Sequence, residues 1–474
     1  MMKMLIAGNW VEGKDSIEVT DPLNGGVIDT IPAANPEDVK KALDSAVRGA
    51  RVAREMTSRQ RSGILRGAAG IVERDLEAFA RTIAMEGSKT IREARIEARR
   101  CVHTLTVSAE ESQRIIGETI PFDTFPGGDN RVGYYYRFPI GIILAVTPFN
   151  DPLNLVAHKL GPAIAAGNAV VLKPATVTPL SALKLARAMM EAGLPPHVLN
   201  VVTGHGHDIG DLLVQDPRPR MISFTGGMEA GRHITRMAGI KKISMELGSN
   251  SPVLVLEDCD LDLAVKQSVS GAFWAAGQNC LGVQRIYVMQ PLFQEFLERF
   301  VARTGQYKIG PKLDEDCDMG PMITAKEAAR VCAWIDEAVD KGAKKLCGGS
   351  RSGALLEPTV LTDVPPEATI HRQEVFGPVV NIYPVSSLEE AISAANSLDV
   401  GLQAAVFTRD INKAFRAAYA LECGGVMIND STDYRLDSMP FGGIKNSGLG
   451  REGIKFSLQE MTEPKVISLR LPEK

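Results

Sequence analysis

Apolar and polar positions follow two different periods along this chain, and the period changes several times. Between residues 4 and 19, short apolar stretches alternate with turn residues and read as small strands, ending at Asp21-Pro22. At Asn35-Pro36-Glu37-Asp38 the period lengthens. Asn35 is placed to cap a helix and Pro36 to occupy its first position. Helical periodicity then runs to about residue 115, with breaks predicted near Ser58 and Gly87.

The stretch 120–138 is of another kind. Pro, Gly and Asp-Asn turn material precedes the aromatic strand Val132-Gly133-Tyr134-Tyr135-Tyr136-Arg137-Phe138, which reads as an arm leaving the main fold. Continuous apolar runs follow at 140–146, 169–172, 199–202 and 221–224, separated by helical stretches at 153–166, 181–192 and 208–214. Short apolar strands with helices between them imply a parallel sheet covered on both faces. The pattern restarts with strands at 252–256, 285–289, 379–383, 404–407 and 425–428. Helices at 261–276, 293–304, 325–341, 388–397 and 411–421 alternate with them, making a second α/β unit. A late run at 466–471 is placed to pair with the arm.

A length of 474 residues implies two or three domains. With 45% apolar and 23% charged residues, the chain has the composition of a soluble globular protein. No apolar run approaches the ~20 residues of a membrane span, and the amino terminus lacks the pattern of a secretory signal. A net charge of −4 argues against nucleic acid as a partner. Seven cysteines are scattered without a Cys-x-x-Cys pair, and seven histidines are equally dispersed. Neither a disulfide framework nor a metal site is favoured, and a reducing cytoplasm is the expected compartment.

Candidate chemistry gathers in a few loops. Cys280, in Gly277-Gln278-Asn279-Cys280, precedes a strand and is followed by Gly282. It is either a buried core thiol or a nucleophile whose own N–H faces a developing oxyanion. Glu246 ends a predicted strand beside Gly248. It is a solvated loop residue or, in a partly apolar pocket, a base able to deprotonate water. Asn150 follows Thr147-Pro148-Phe149 at a strand end, where open α/β sheets meet ligands. It either caps a turn or donates its amide to an oxyanion. Phe224-Thr225-Gly226-Gly227 opens a helix in a manner suited to a pyrophosphate, although its spacing is not Gly-x-Gly-x-x-Gly. Lys173 closes another strand as a solvated charge or a ribose contact, and residues 439–453 form a long glycine-rich loop.

Together these blocks resemble the aldehyde dehydrogenase superfamily over essentially the whole chain. The resemblance rests on Pro148-Phe149-Asn150, Lys173-Pro174-Ala175, Phe224-Thr225-Gly226, Glu246-Leu247-Gly248, Gly277-Gln278-Asn279-Cys280, Glu374-Val375-Phe376-Gly377-Pro378 and Pro440-Phe441-Gly442-Gly443-Ile444-Lys445, in the family's order. It implies a three-part α/β fold. Residues 1–118 and 140–248 would be a Rossmann-like cofactor domain, 249–454 the catalytic domain, and 119–139 with 455–474 a β arm for dimer or tetramer assembly. It implies that Cys280 is the nucleophile, Asn150 the oxyanion donor and Glu246 the activator of the hydrolytic water. Lys173 and Glu374 would hold the riboses, Phe376 would pack near the nicotinamide, and Gly226 and Gly227 would line the pyrophosphate. Thr147, Pro148, Phe149, Phe224, Thr225 and Leu247 would complete the cofactor site.

Thr176 stands where NAD-preferring members often carry a glutamate, so the resemblance points to NADP, or to dual use with NAD. The segment Asn429-Asp430-Ser431-Thr432-Asp433-Tyr434-Arg435 is similar to that of the lactaldehyde, phosphonoacetaldehyde and non-phosphorylating glyceraldehyde-3-phosphate branches. Arg435, and Arg99 or Arg100, are therefore either surface ion-pair partners or anchors for an anionic tail. Only 5% of residues are aromatic, which favours a small polar or anionic aldehyde over a long alkyl or aryl one. Two rivals remain. A CoA-acylating dehydrogenase would not need Glu246, and a silent binding protein would not need Cys280, Glu246 and Asn150 together.

Overall fold

The computed structural model describes residues 1–472. The chain forms the expected α/β architecture, with two large sheets and four small ones among these residues. In the first sheet, five parallel strands lie in the order Leu199–Val201, Ala169–Lys173, Ile142–Val146, Met221–Thr225 and Lys242–Glu246. The chain builds outward from Ile142–Val146 on one side, then returns and builds outward on the other. The loops leaving Ile142–Val146 and Met221–Thr225 therefore diverge, which opens a crevice at the carboxyl ends of the strands. Antiparallel edges close the sheet, with Met4–Ile6 and Asn9–Val11 on one side and Gly448–Leu449 on the other.

The continuous apolar runs have a direct cause. Ile143, Ala145, Val170 and Leu172 point into one core, while Ile142, Leu144, Ala169 and Val171 point into another on the opposite face. Both faces are covered, so no position alternates to polar. The second sheet repeats this, with Val253 and Val255 on one side and Leu254 and Leu256 on the other. Its order is Lys344–Cys347, Thr359–Thr362, Val379–Val385, Val283–Met289, Ser251–Val255, Gln403–Phe407 and Gly425–Ile428. The first two strands are not evident in the sequence pattern. Thr359–Thr362 is only four residues long, and Lys344–Cys347 is mostly polar and exposed at the sheet edge.

Asn35 caps Pro36–Glu55 as expected, its side chain accepting from the Glu37 and Asp38 N–H groups. Three further helices follow: Ser58–Arg74, Leu76–Glu86 and Ile91–Glu111. The break at Asp75 has no Gly or Pro to announce it. Arg131–Pro139 pairs antiparallel with Thr462–Arg470, so the arm and the late run do meet. Within the segment 455–474, helix Ile454–Glu460 packs on Ile91–Glu111 and Asn154–Ala165, with Leu458 in the first core. Residues 473–474 of that segment lie outside the described residues. No helix among the described residues is long and apolar enough to cross a membrane.

One buried carboxylate fastens the helical layer. Glu86 accepts the Leu180 N–H at 2.6 Å and the Ser181 N–H at 2.8 Å, at the start of helix Leu180–Glu191. Removing it leaves two buried donors without a partner. The substitution E86A should lower unfolding free energy by about 2–4 kcal/mol, measured by denaturant titration.

Candidate active site

The crevice predicted by the strand order is a cleft of about 520 Å³. Thr147, Pro148, Phe149 and Asn150 leave Ile142–Val146 to form one wall. Phe224, Thr225, Gly226 and Gly227 form another, where Gly227 opens helix Met228–Met237. Glu246 and Leu247 arrive from the next strand, and Glu374 and Phe376 from the second α/β unit. Phe149 and Phe376 meet edge to face, with ring centroids 5.7 Å apart.

A dinucleotide fits this surface by the test of unmet hydrogen bonds. Thr147 Oγ1, Thr225 Oγ1 and both Glu246 carboxylate oxygens are buried without a protein partner, and all three residues line the cleft. Close backbone approach is also built in. A Cβ on Gly248 would stand 2.0 Å from Glu374 Oε2. Glu374 is itself held by the Ser249 N–H at 2.9 Å, while burial pushes its carboxyl up to about 7. Thr176 lines the cleft and donates to the Gly204 carbonyl at 2.9 Å.

Cys280 follows an unusual turn. Ala275, Ala276 and Gly277 are all left-handed, with φ of 51°, 56° and 67°. A Cβ on Gly277 would approach the Gly377 carbonyl oxygen to 2.1 Å, so glycine is required there. Two buried side chains pin the turn. Glu93 accepts the Ala275 N–H at 2.8 Å, and Gln278 bridges from the Ala275 carbonyl to the Ile323 N–H. The result sets the Cys280 thiol where the cleft meets a second cavity of about 320 Å³. Asn150 lines both spaces as well. Burial pushes the Cys280 thiol up to about 12, with Glu374 and Glu246 adding to that and Arg435 opposing it.

Behind Glu246 lies a chain of buried charges. Helix Asn154–Ala165 is buried at all twelve positions, yet it carries His158 and Lys159. Lys159 pairs with Glu452 at 3.1 Å, and Glu452 with Arg435 at 3.1 Å. Burial would raise the Glu452 carboxyl, but Lys159 and Arg435 hold it down. Glu246 has no such partner, and burial together with the Glu452 charge raises it well above 4.5. His158 in turn meets Asp437 at 2.8 Å, and Asp437 accepts from Arg100 at 2.9 Å. Those partners hold Asp437 well below the usual carboxylate range despite its burial.

Arg100 and Arg435 line the second cavity together with Cys280, whereas Arg99 is exposed on helix Ile91–Glu111 and lies on neither cavity wall. Arg435 also lies over the Phe441 ring, 3.7 Å from its centroid. Lys173 is not on the cleft wall. Its buried ammonium donates to the Pro174 carbonyl at 3.3 Å, and burial lowers it to about 8. Sequence reasoning missed Glu93, Lys89, Asp151, Lys159 and Asp437. The signal available for Lys159 and its neighbour His158 was their position inside an otherwise apolar helix.

With the geometry in place, comparison with known proteins agrees. The aldehyde dehydrogenase family profile matches residues 10–467. An aspartate-semialdehyde dehydrogenase of Pseudomonas canavaninivorans is 48% identical, over 96% of this chain and 97% of that protein. A 3-sulfolactaldehyde dehydrogenase of Priestia aryabhattai is 44% identical, over 99% and 98% respectively. The crystal structure of an NADP-dependent glyceraldehyde-3-phosphate dehydrogenase from Bacillus halodurans C-125, complexed with NADP, superposes with a TM-score of 0.97. That protein is 38% identical, with 99% of each chain covered. The chain belongs to the aldehyde dehydrogenase family, whose members are oxidoreductases acting on aldehydes.

The raised thiol gives a direct test. Below about pH 12 the thiolate fraction of the cofactor-free protein climbs about tenfold per pH unit. Alkylation of Cys280 by iodoacetamide should therefore be slow near neutrality and keep accelerating up to at least about pH 9. Mass-spectrometric labelling at that residue reads the rate.

Proposed function

We propose that this protein oxidises a small polar or anionic aldehyde to its carboxylic acid, using NADP or NAD, through a thioester on Cys280. The observation that carries the reading is the meeting of two cavities at one thiol, with Asn150 on both walls and the unpartnered Glu246 on one. As the thiol proton leaves to solvent, the Cys280 sulfur adds to the carbonyl carbon, and the oxyanion accepts from the Asn150 amide and the Cys280 N–H. Gly226, Gly227, Glu374 and Phe376 would hold a dinucleotide in the cleft, which would supply the acceptor for the hydride of that carbon, so that Cys280 is left carrying the acyl group as a thioester. Glu246 then takes a proton from water, whose oxygen attacks the thioester carbon. The carbon–sulfur bond breaks, the acid departs and Cys280 regains its proton. Burial and the Glu452 charge raise the Glu246 carboxylate, making it a stronger base than an exposed one and suiting it to take a proton from water.

The preference for NADP rests on Thr176. Its neutral hydroxyl lines the cleft where a carboxylate would repel a 2′-phosphate. The relative of known structure bound to NADP supports the same leaning. Arg100 and Arg435, both on the wall of the smaller cavity, are the anchors for an anionic tail. The names of the aspartate-semialdehyde and sulfolactaldehyde relatives support a substrate of that size and polarity. The paired strands Arg131–Pro139 and Thr462–Arg470 would carry dimer or tetramer assembly, with 1–118 and 140–248 as cofactor domain and 249–454 as catalytic domain. A cytoplasmic location fits this chemistry.

Two experiments test the reading. C280A should abolish NAD(P)H production, while E246Q should retain one rapid turnover and slow steady hydrolysis by about 100-fold or more. A steady rate unaffected by E246Q would reject Glu246 as the base. T176E should weaken NADP binding by about tenfold or more and spare NAD, as read by fluorescence titration.

A further inference from the structure

The cavity that accepts the aldehyde is unevenly supplied with partners. Each of its cations already has a carboxylate: Lys89 lies 2.8 Å from Glu97 and also contacts Asp151, Arg100 meets Asp437 at 2.9 Å, and Arg435 meets Glu452 at 3.1 Å. Asp433 lines the same cavity, and among the described residues no Lys, Arg or His forms an ion pair with it. Its side chain is met by Ser431, and Arg100 is the cation whose charge it feels. A carboxylate only accepts hydrogen bonds, so a guest that brings acceptors alone adds no partner to the Ser431 contact and places like charge beside it.

We propose that Asp433 is a specificity-determining residue, selecting aldehydes that carry a hydrogen-bond-donating substituent, ammonium or hydroxyl, beside the polar or anionic tail. This rests on the small polar aldehyde reading above and narrows it. Arg100 and Arg435 present donors to an anionic terminus, and Asp433 presents an acceptor, within one cavity of about 320 Å³ that also holds Cys280. A plain monoanion would satisfy the arginines and be repelled by Asp433. A substituent with an N–H or O–H would satisfy both. Buried polar groups discriminate strongly against analogues that leave them unpaired. Ammonium and hydroxyl share the donor chemistry, and the unpaired negative charge strengthens the bond to ammonium.

The test uses matched aldehydes with the full-length enzyme and saturating cofactor. Aspartate β-semialdehyde is compared with succinic semialdehyde, and lactaldehyde with propanal, with kcat and KM resolved separately. The donor-bearing member of at least one pair should win by about tenfold or more in kcat/KM. In D433A that advantage should shrink to about threefold or less, mainly through KM. Titration with NADP+ reports whether the D433A protein is folded. The winning pair tells whether the substituent is ammonium or hydroxyl. Ratios near one in the wild type, or an advantage that survives in a folded D433A protein, overturn the proposal while leaving the small-aldehyde reading intact. Preference for hexanal over all four aldehydes overturns both.

Discussion

The placement of Cys280 between the two cavities depends on one backbone constraint, the left-handed turn Ala275-Ala276-Gly277. Two of its residues carry a Cβ, and each costs about 1–2 kcal/mol in that conformation. The turn persists because its surroundings over-determine it. The Glu93 carboxylate reaches in from a helix of the first unit, and Gln278 ties the turn to Ile323 of the second. Glu93 also completes the cap of its own helix through the Thr90 N–H at 2.8 Å. One carboxylate thus sets both where that helix begins and how the Cys280 loop bends. Strain of this kind persists only where the surrounding structure over-determines it, and it collects at functional sites.

Charge burial is the second organising theme. Lys159, Glu452, Arg435, His158, Asp437 and Arg100 form a connected series in which each group has an opposite partner or a hydrogen bond. Such groups are tolerable inside a protein only when paired. Glu246, at one end of the series, is the exception, and its field raises the neighbouring thiol further. Paired groups give the cavity its shape and rigidity. The unpaired one keeps both carboxylate oxygens without a protein partner.

The two α/β units explain why these parts can meet. Each sheet is covered on both faces, and strands of the first end, while strands of the second begin, at the shared boundary. Glu246 and Asn150 come from strand ends of the first sheet, while Cys280 and Glu374 lie just before strands Val283–Met289 and Val379–Val385 of the second. Ser447 binds the units further by accepting the Gly401 N–H and donating to the Gly248 carbonyl, both at 2.9 Å. The cleft is therefore framed by rigid elements, with strand-end residues such as Thr225 and Glu246 sharing its walls with loop residues.

Local sequence determined the alternation of strands and helices, because continuous apolar runs and capping residues such as Asn35 act over a few positions. It also marked Cys280, Glu246, Asn150 and the cleft residues from Thr147 to Phe376, since their motifs are contiguous. It did not reveal the break at Asp75, which no Gly or Pro marks, or the strand Thr359–Thr362, which holds only two apolar residues between Pro358 and Asp363. Nor could it choose between Arg99 and Arg100, adjacent residues whose directions are set by how helix Ile91–Glu111 packs. The pairing of Asp437 with His158 and Arg100, and of Glu93 with Ala275, spans distant parts of the chain. Those contacts were decided only by tertiary structure, because the electrostatic need of a buried charge names no partner until folding brings one within reach.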